Sequence, residues 1–585
     1  MPGPEPRTDL LPLPNRWFYA LLTVGIILNS TGLVPPILEP DGALYATIAK
    51  RMAQSGDFVN LYAVGADWLD KPHFPFWVTA VSFLIFGVNT FAYKVPALLF
   101  FMGSVAYTYA FARLMYPKIV AQVATLVLLT AFHGVLSNFD VRAEPYLMGL
   151  IIGAVYHFWR VFLTGEGNTI SRRYILPEST IHILLGSLLT GCALMTKGVF
   201  VLVPIGAGLV IHWLLTGQWR ELLKIRWYVV AGLSLLFTLP EIYCLYQQFD
   251  LHPEKIIFGG TGVSGVRFFF WDSQFGRFFN TGPIKGAGDK FFFVHTVLWA
   301  FLPWSLPLYA GIGKAIAGLV QRQPASRLPE YVSLGSGLAT FALFSLSAFQ
   351  LPHYMNIVFP FFAILTAQFL VGLRATALRR WTVGQTVIGL LLIGLSAALL
   401  LLAQPGQVGL GLGWVVATAL LTFLVFRENS LTSLVGRMVG TMLVLAGVLN
   451  LFLYPTLMQY QAGMTAARYA NEQPALAQRP TLLYMPGTGV GGGSFWTYEF
   501  YAGAPTRYVR SDSALRLQLQ QRPQQLFTNA ELADSLTSHG FDVQSIAVFP
   551  YYHVSQLSYA FLNRSTRSGT LSPYVLVTVR NRKQP

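Results

Sequence analysis

Runs of about 20 predominantly apolar residues, each long enough to cross the ~30 Å hydrocarbon core of a bilayer, recur from Trp17 to Tyr454. No other feature restricts the fold so strongly. A lipid-embedded backbone must satisfy its own polar groups, so such runs form helices. The remaining composition agrees. Of 585 residues, 54% are hydrophobic and 11% charged, against roughly 25% charged in soluble domains. The expected spans are 17–37, 92–113, 119–137, 144–163, 180–196, 199–215, 227–247, 291–313, 332–349, 353–373, 382–402, 409–426 and 434–455, about thirteen in all. The stretch 73–88 is also apolar, but it reads as a re-entrant or interfacial helix. Residues 1–16 are polar and Pro-rich, and the run after them is too long for a signal-peptide core, so it reads as a retained first span. Cys192 and Cys244 both fall in apolar runs and imply no disulfide framework.

The net charge of +15 follows from topology. Lys and Arg gather in alternate loops: Arg7 and Arg16; Arg113 and Lys118; Arg172 and Arg173; Arg220, Lys224 and Arg226; Lys314, Arg322 and Arg327; Arg374, Arg379 and Arg380; Arg427 and Arg437. These loops read as cytoplasmic. No nucleic-acid partner is called for. The opposite side receives loop 38–91, turn 138–143, loop 248–290 and everything after 456. Counting 73–88 as a full span would invert the bias, which is why it reads as interfacial.

The chain divides into a membrane part, 1–455, and a tail, 456–585. In the tail, "PTLLYM", "TRYVR", "QQLFT" and "YVLVTVR" read as strands, and "NAELADSLTSHG" as a helix ending at a C-cap glycine. A small α/β domain is expected. "PGTGVGGGS" reads as a flexible loop. No GK[ST] follows it, and it is not expected to stand as GxGxxG between a strand and a helix.

Ionisable residues near a bilayer are costly unless they have a partner or a task. On the expected outer side they cluster: Glu39 and Asp41; Lys71 and His73; Asp140, Arg142 and Glu144; Lys197; Arg277; His353 and Tyr354. They come from different loops but one membrane face, as a site assembled there would. Each also has a plainer reading. Asp41 suits the N-cap of a helix starting near Ala43. Asp140, Arg142 and Glu144 suit a surface ion cluster. Lys197 suits a snorkelling span end, and Lys71 and Arg277 suit lipid headgroups. Phe74, Phe76 and Trp77, with "FFFW" at 268–271, suit either an apolar groove or interfacial anchors.

Four blocks, "PDGALYATIAKRMAQSGDFVN…DWLDKPHFPFWV", "DVRAEPYLMGLI", "CALMTKGVFVLVP" and "LPHYMNIVFPFFAIL", resemble the family 39 glycosyltransferases of the GT-C fold. The bacterial 4-amino-4-deoxy-arabinose (lipid A) transferases and the protein mannosyltransferases are the groups it resembles. The resemblance implies a polytopic helical membrane enzyme with periplasmic juxtamembrane helices. Such an enzyme moves a sugar from a polyprenyl-phosphate donor to a lipid, glycan or protein acceptor at the outer face of the bacterial inner membrane. It places Asp41 as the catalytic carboxylate, Glu144 as the second acid, and Lys71 and Lys197 at the donor phosphate. Asp140 would be a further acid and Arg277 a further phosphate ligand, with Arg142, His73, His353 and Tyr354 contacting substrate. Asp41 and Glu144 could also share a divalent metal ion, because carboxylates suit hard cations. No other cofactor is implied. The sequence departs from the family pattern at Gly42, where a second acid is usual, at Leu44, where the lipid A enzymes carry arginine, and at Gln350, where a lysine is usual. A lipid-linked sugar flippase and an O-antigen-ligase-like protein are the competing readings. A flippase would need polar groups spread through the span interiors.

The alternate basic loops put the C-terminus outside the cytoplasm. A reporter fused after residue 585 that is active only in the periplasm is expected to be on. Activity of a cytoplasm-only reporter there would overturn the span count and side assignment together.

Overall fold

The computed structural model describes residues 13–164, 178–321, 329–487, 493–519 and 522–582. Arg7, Arg172, Arg173, Arg322 and Arg327 of the basic loops lie outside these residues. Eight described helices are long and apolar enough to cross a membrane, among them Thr90–Met115, Glu144–Thr164, Ser179–Lys197, Ile225–Asp250 and Pro352–Val371. Five shorter apolar helices accompany them. One is Phe74–Phe86, about 20 Å long at 1.5 Å per residue. Its last turn leaves Leu84, Ile85 and Phe86 exposed.

Two expected spans are broken. The run 119–137 is helical over Lys118–Leu129 and Phe132–Ser137, and the run 291–313 over Phe292–Ala300 and Ser305–Val320. Pro303 has no N–H for the helical ladder, which explains the second break. The two breaks face each other. The Phe132 N–H donates to the Leu302 carbonyl at 2.9 Å, and Trp304 Nε1 donates to Thr130 Oγ1 at 2.9 Å. Thr130 Oγ1 in turn donates to the Leu126 carbonyl at 2.6 Å. A backbone donor at the first interruption is thus satisfied by a carbonyl at the second, and a side-chain bond adds to it, as an apolar surround requires.

Beyond the first helix, the chain forms the Asp41–Ser55 helix and then a short antiparallel hairpin of β1 (Tyr62–Ala63) and β2 (Ala66–Asp67). The tail builds one mixed sheet from β3 (Thr481–Tyr484), β4 (Thr506–Val509), β5 (Gln524–Asn529), β6 (Phe541–Tyr551) and β7 (Ser572–Asn581), in the order β4-β3-β5-β7-β6. β3, β4 and β5 run parallel, while β7 pairs antiparallel with both β5 and β6. The four expected strands and the Ala530–Ser538 helix are present. β6 was not expected. It is an edge strand with a register shift between Ser545 and Ala547, which spoils the alternation that marks a strand in sequence. The glycine-rich loop does follow a strand, β3, and precede a helix, Gly493–Tyr501, contrary to expectation. Its residues 488–492 lie outside those described.

The tail is fastened to the loop that follows the first helix. Lys50 Nζ donates to the carbonyls of Glu499, Phe500 and Ala502 at 2.8, 2.9 and 2.8 Å, placing a cation on the carboxyl end of the Gly493–Tyr501 helix. Arg51 pairs with the Glu499 carboxylate. Glu39 is buried at the same seam, where Thr497 Oγ1 donates to its Oε2 at 3.1 Å.

Burial raises the Glu39 pKa to about 8, with the Thr497 hydrogen bond opposing the shift. A carboxyl raised above its unfolded value favours folding below the unfolded pKa, and that stability is lost as pH rises through the folded pKa. Glu39→Gln is therefore expected to melt like wild type near pH 4.5 and above it at pH 8. The gain should be of the order of a few kcal/mol or less. Parallel melting curves at both pH values would refute the seam as a buried neutral carboxyl.

Candidate active site

Three turns deliver the site. The Asp41–Ser55 helix starts directly after Pro40, the Glu144–Thr164 helix opens on its own acid, and Lys197 closes the Glu178–Lys197 helix. Gly198 turns the chain there at φ +88°, and a Cβ at that position would lie 2.6 Å from the Gln274 side chain. Gln274 Nε2 uses the space to donate to the Lys197 carbonyl at 3.0 Å. Only glycine meets both demands.

A cavity of about 300 Å³ lies between these turns and the 268–277 and 344–357 segments. Four acids and four bases line it: Asp41, Asp70, Glu144 and Glu241 against Lys71, Arg142, Lys197 and Arg277. Their pairing is uneven. Asp70 holds two cations, Lys71 at 2.7 Å and Arg277. Arg142 holds two acids, Asp41 at 2.5 Å and Asp140 at 3.0 Å. The first trio carries one net positive charge and the second one net negative charge. Between them, Lys197 pairs with Glu144, which is only 2% exposed, and His353 Nε2 stands 3.8 Å from Glu144 Oε1. Lys197 Nζ also lies 4.1 Å from the Tyr354 ring centre. Burial works to raise the Asp70 pKa, yet the Lys71 and Arg277 charges hold it below the usual carboxylate range. The arrangement offers an anion a cationic corner and offers a hydroxyl a carboxylate corner.

Of the residues singled out in the sequence, Asp41, Arg142, Glu144, Lys71, Lys197, Arg277, His353 and Tyr354 line this cavity. Asp140 stands behind Arg142 rather than on the wall. His73 is not at the site. It is 0% exposed, with its ring bridging Glu241 Oε1 and the Val59 carbonyl, both at 3.0 Å, so it locks loops together and cannot reach a substrate. Asp41 begins its helix, but its side chain makes no capping bond and turns to Arg142 instead, which removes the N-cap reading. Glu39 belongs to the tail seam. Phe268 and Phe269 face the cavity, whereas Phe74, Phe76 and Trp77 do not; Trp77 Nε1 donates to the Phe58 carbonyl at 2.7 Å.

The residues missed are Asp70, Glu241, Tyr45 and Trp496. Asp70 looked ordinary beside Lys71, and Glu241 sits within an apolar run. The departures acquire physical meaning. A Cβ on Gly42 would lie 3.3 Å from Ile37 Cγ2 and 3.8 Å from both Asp140 Oδ1 and the Tyr93 hydroxyl, so a second acid there would stand close to a carboxylate already present. Leu44 lies on the cavity wall. Gln350 accepts from the Asp289 N–H at 2.9 Å and donates to the Phe344 carbonyl at 3.1 Å, clipping two segments together. A metal shared by Asp41 and Glu144 does not fit, because each carboxylate is already turned to a cation of the protein, Arg142 or Lys197. Among the described residues no three His, Cys, Asp or Glu side chains are grouped to hold an ion.

These features define a multi-pass membrane protein of the GT-C fold. Over 97% of its length the chain superposes on 98% of a crystal structure of ArnT from Cupriavidus metallidurans bound to undecaprenyl phosphate, with a TM-score of 0.72 at 18% identity. Residues 38–257 match the family of dolichyl-phosphate-mannose-protein mannosyltransferases. The chain is 29% identical to an undecaprenyl phosphate-alpha-4-amino-4-deoxy-L-arabinose arabinosyl transferase of Edwardsiella ictaluri, over 63% of this chain and 62% of that one. It is 28% identical to the protein of the same name from Pseudomonas aeruginosa, over 58% and 57%. The chain thus spans about three fifths of the length of these relatives, and it resembles both aminoarabinose transferases and protein mannosyltransferases.

Asp70 tethers Lys71 and Arg277 from two separate loops, so removing its charge should loosen both. A carboxyl depressed in the fold contributes stability above its unfolded pKa, lost as pH falls through the folded one. Asp70→Asn is therefore expected to cost roughly 1–3 kcal/mol at pH 7, with the difference from wild type shrinking below about pH 4. Thermal melts across that range check it; a pH-independent difference would point to packing instead.

Proposed function

We propose that this protein is an integral membrane glycosyltransferase that moves a sugar from a polyprenyl-phosphate donor to a lipid, glycan or protein acceptor. In this reading residues 1–455 form the catalytic membrane part and 456–585 an outer α/β domain. The site faces the periplasm from the bacterial inner membrane. The observation that carries it is the uneven division of charge at one cavity, a surplus cation at Lys71 and Arg277 and a surplus acid at Asp41, with Asp140 behind it on the far side of Arg142.

A donor of this kind carries its own leaving group. As the C1–O bond breaks, negative charge grows on the departing phosphate, and cations held in place stabilise it without reorganising. Lys71, Arg277 and Lys197 take that part. An acceptor hydroxyl needs a positioned base, worth typically 10²–10⁴-fold. Asp41 takes that part, while Arg142 orients it and Asp140 keeps the guanidinium occupied. Glu144 holds Lys197, and His353 and Tyr354 close that side. Displacement at C1 without a covalent intermediate inverts the anomeric centre. The gathering of ionisable groups at one end of the helices supports transfer over passage of a lipid-linked sugar across the bilayer.

The direct test incubates purified protein with radiolabelled polyprenyl-phosphate sugars and membrane extract and identifies the labelled product. Asp41→Asn should lower turnover roughly 10²-fold or more, while weakening its partly exposed pair with Arg142 should cost at most about 1 kcal/mol of stability. Lys71→Ala should weaken donor use by roughly 1.5–3 kcal/mol. Wild-type turnover in Asp41→Asn would remove Asp41 from the chemistry.

A further inference from the structure

The cavity wall draws on one residue from the far end of the chain. Trp496 lies on the Gly493–Tyr501 helix of the tail, yet it lines the cavity together with Asp41, Leu44 and Tyr45 of the first outer helix. It is 7% exposed. Its carbonyl accepts from Thr47 Oγ1 at 3.2 Å. The flanking Thr497 donates to Glu39, and Glu499 holds both Arg51 and the Tyr508 hydroxyl, the latter at 2.8 Å. The backbone of this turn of the helix is therefore fixed to the first loop and to the sheet by contacts on either side of Trp496. The indole's own Nε1–H makes no hydrogen bond to a described residue.

An indole on the cavity wall with an uncommitted N–H suits a ligand that is apolar on one side and hydroxylated at its edge. A sugar ring is such a ligand: its C–H face packs on an aromatic plane while a rim hydroxyl accepts the N–H. A phosphate is not, because an aromatic face repels anions, and the cations sit elsewhere, on Lys71 and Arg277. We infer that Trp496 is a sugar-contacting residue, through which the C-terminal sheet helps decide which ring the site accepts. This rests on the transfer reading proposed above. The ring belongs to the donor or to a glycan acceptor, and the two separate by measurement.

The test uses full-length protein in lipid nanodiscs. Binding is measured with bare polyprenyl phosphate and with the same lipid carrying a sugar, for wild type, Trp496→Leu and Trp496→Phe. If the ring is the donor's, Trp496→Leu loses about tenfold in affinity for the sugar-bearing lipid while bare lipid binds as before, and Trp496→Phe, which keeps the face, stays within about threefold. If it is the acceptor's, both lipids bind as in wild type, and the acceptor KM rises about tenfold at unchanged kcat. An equal loss for both lipids, or no change in binding and KM, overturns the proposal. Trp496→Met, whose unbranched flexible side chain adapts to an irregular gap, replaces Trp496→Leu should the latter fail to fold. A wild-type protein that binds the sugar-bearing lipid but transfers nothing overturns the transferase reading, and the binding comparison still decides Trp496.

Discussion

Charge cannot be left unpaired at the edge of a low-dielectric slab, and the ionisable residues around the cavity are arranged under that constraint. The protein meets it with ion pairs, but not one to one. Asp70 serves two cations and Arg142 serves two acids, so each corner is held in place by opposite charge and still keeps a surplus of one sign. Pairing supplies rigidity, and the imbalance supplies polarity. The same ion pairs also join loops that are distant in sequence, Asp70 to Arg277 and Arg142 to Asp41.

The same economy of partners appears within the helices. The breaks near Thr130 and Pro303 would each expose backbone groups to an apolar surround, and they are placed so that they bond to one another. A straight reading of two spans misses this, because it is a relation between residues some 170 positions apart. The His73–Glu241 contact is of the same kind: two ionisable groups, each suspicious alone in an apolar context, satisfy one another and hold the first loop to a membrane helix.

Much of the candidate site was legible. Asp41, Arg142, Glu144, Lys71, Lys197, Arg277, His353 and Tyr354 stood out because ionisable and polar groups beside apolar runs are rare enough to be noticed. His73 stood out for the same reason and proved internal, since sequence shows that a polar residue needs a partner without showing which one it has. Asp70 was hidden for the opposite reason: an acid next to a lysine looks already explained. In the tail, the regular strands were read correctly. The bulged edge strand β6 was not, because a bulge shifts the alternation by one residue.

What the sequence determined by itself was the class of solution. Apolar runs of bilayer length force helices, alternate basic loops bias their orientation, and ionisable groups collect where those helices end, all of which are local properties of the chain. The tertiary structure alone decided which groups meet. Asp41 turned from a cap into an arginine's partner, and Trp496 crossed from the last sheet to the wall that Asp41 shares. Such meetings depend on the path of the backbone between distant residues, and no window of sequence contains both ends of them.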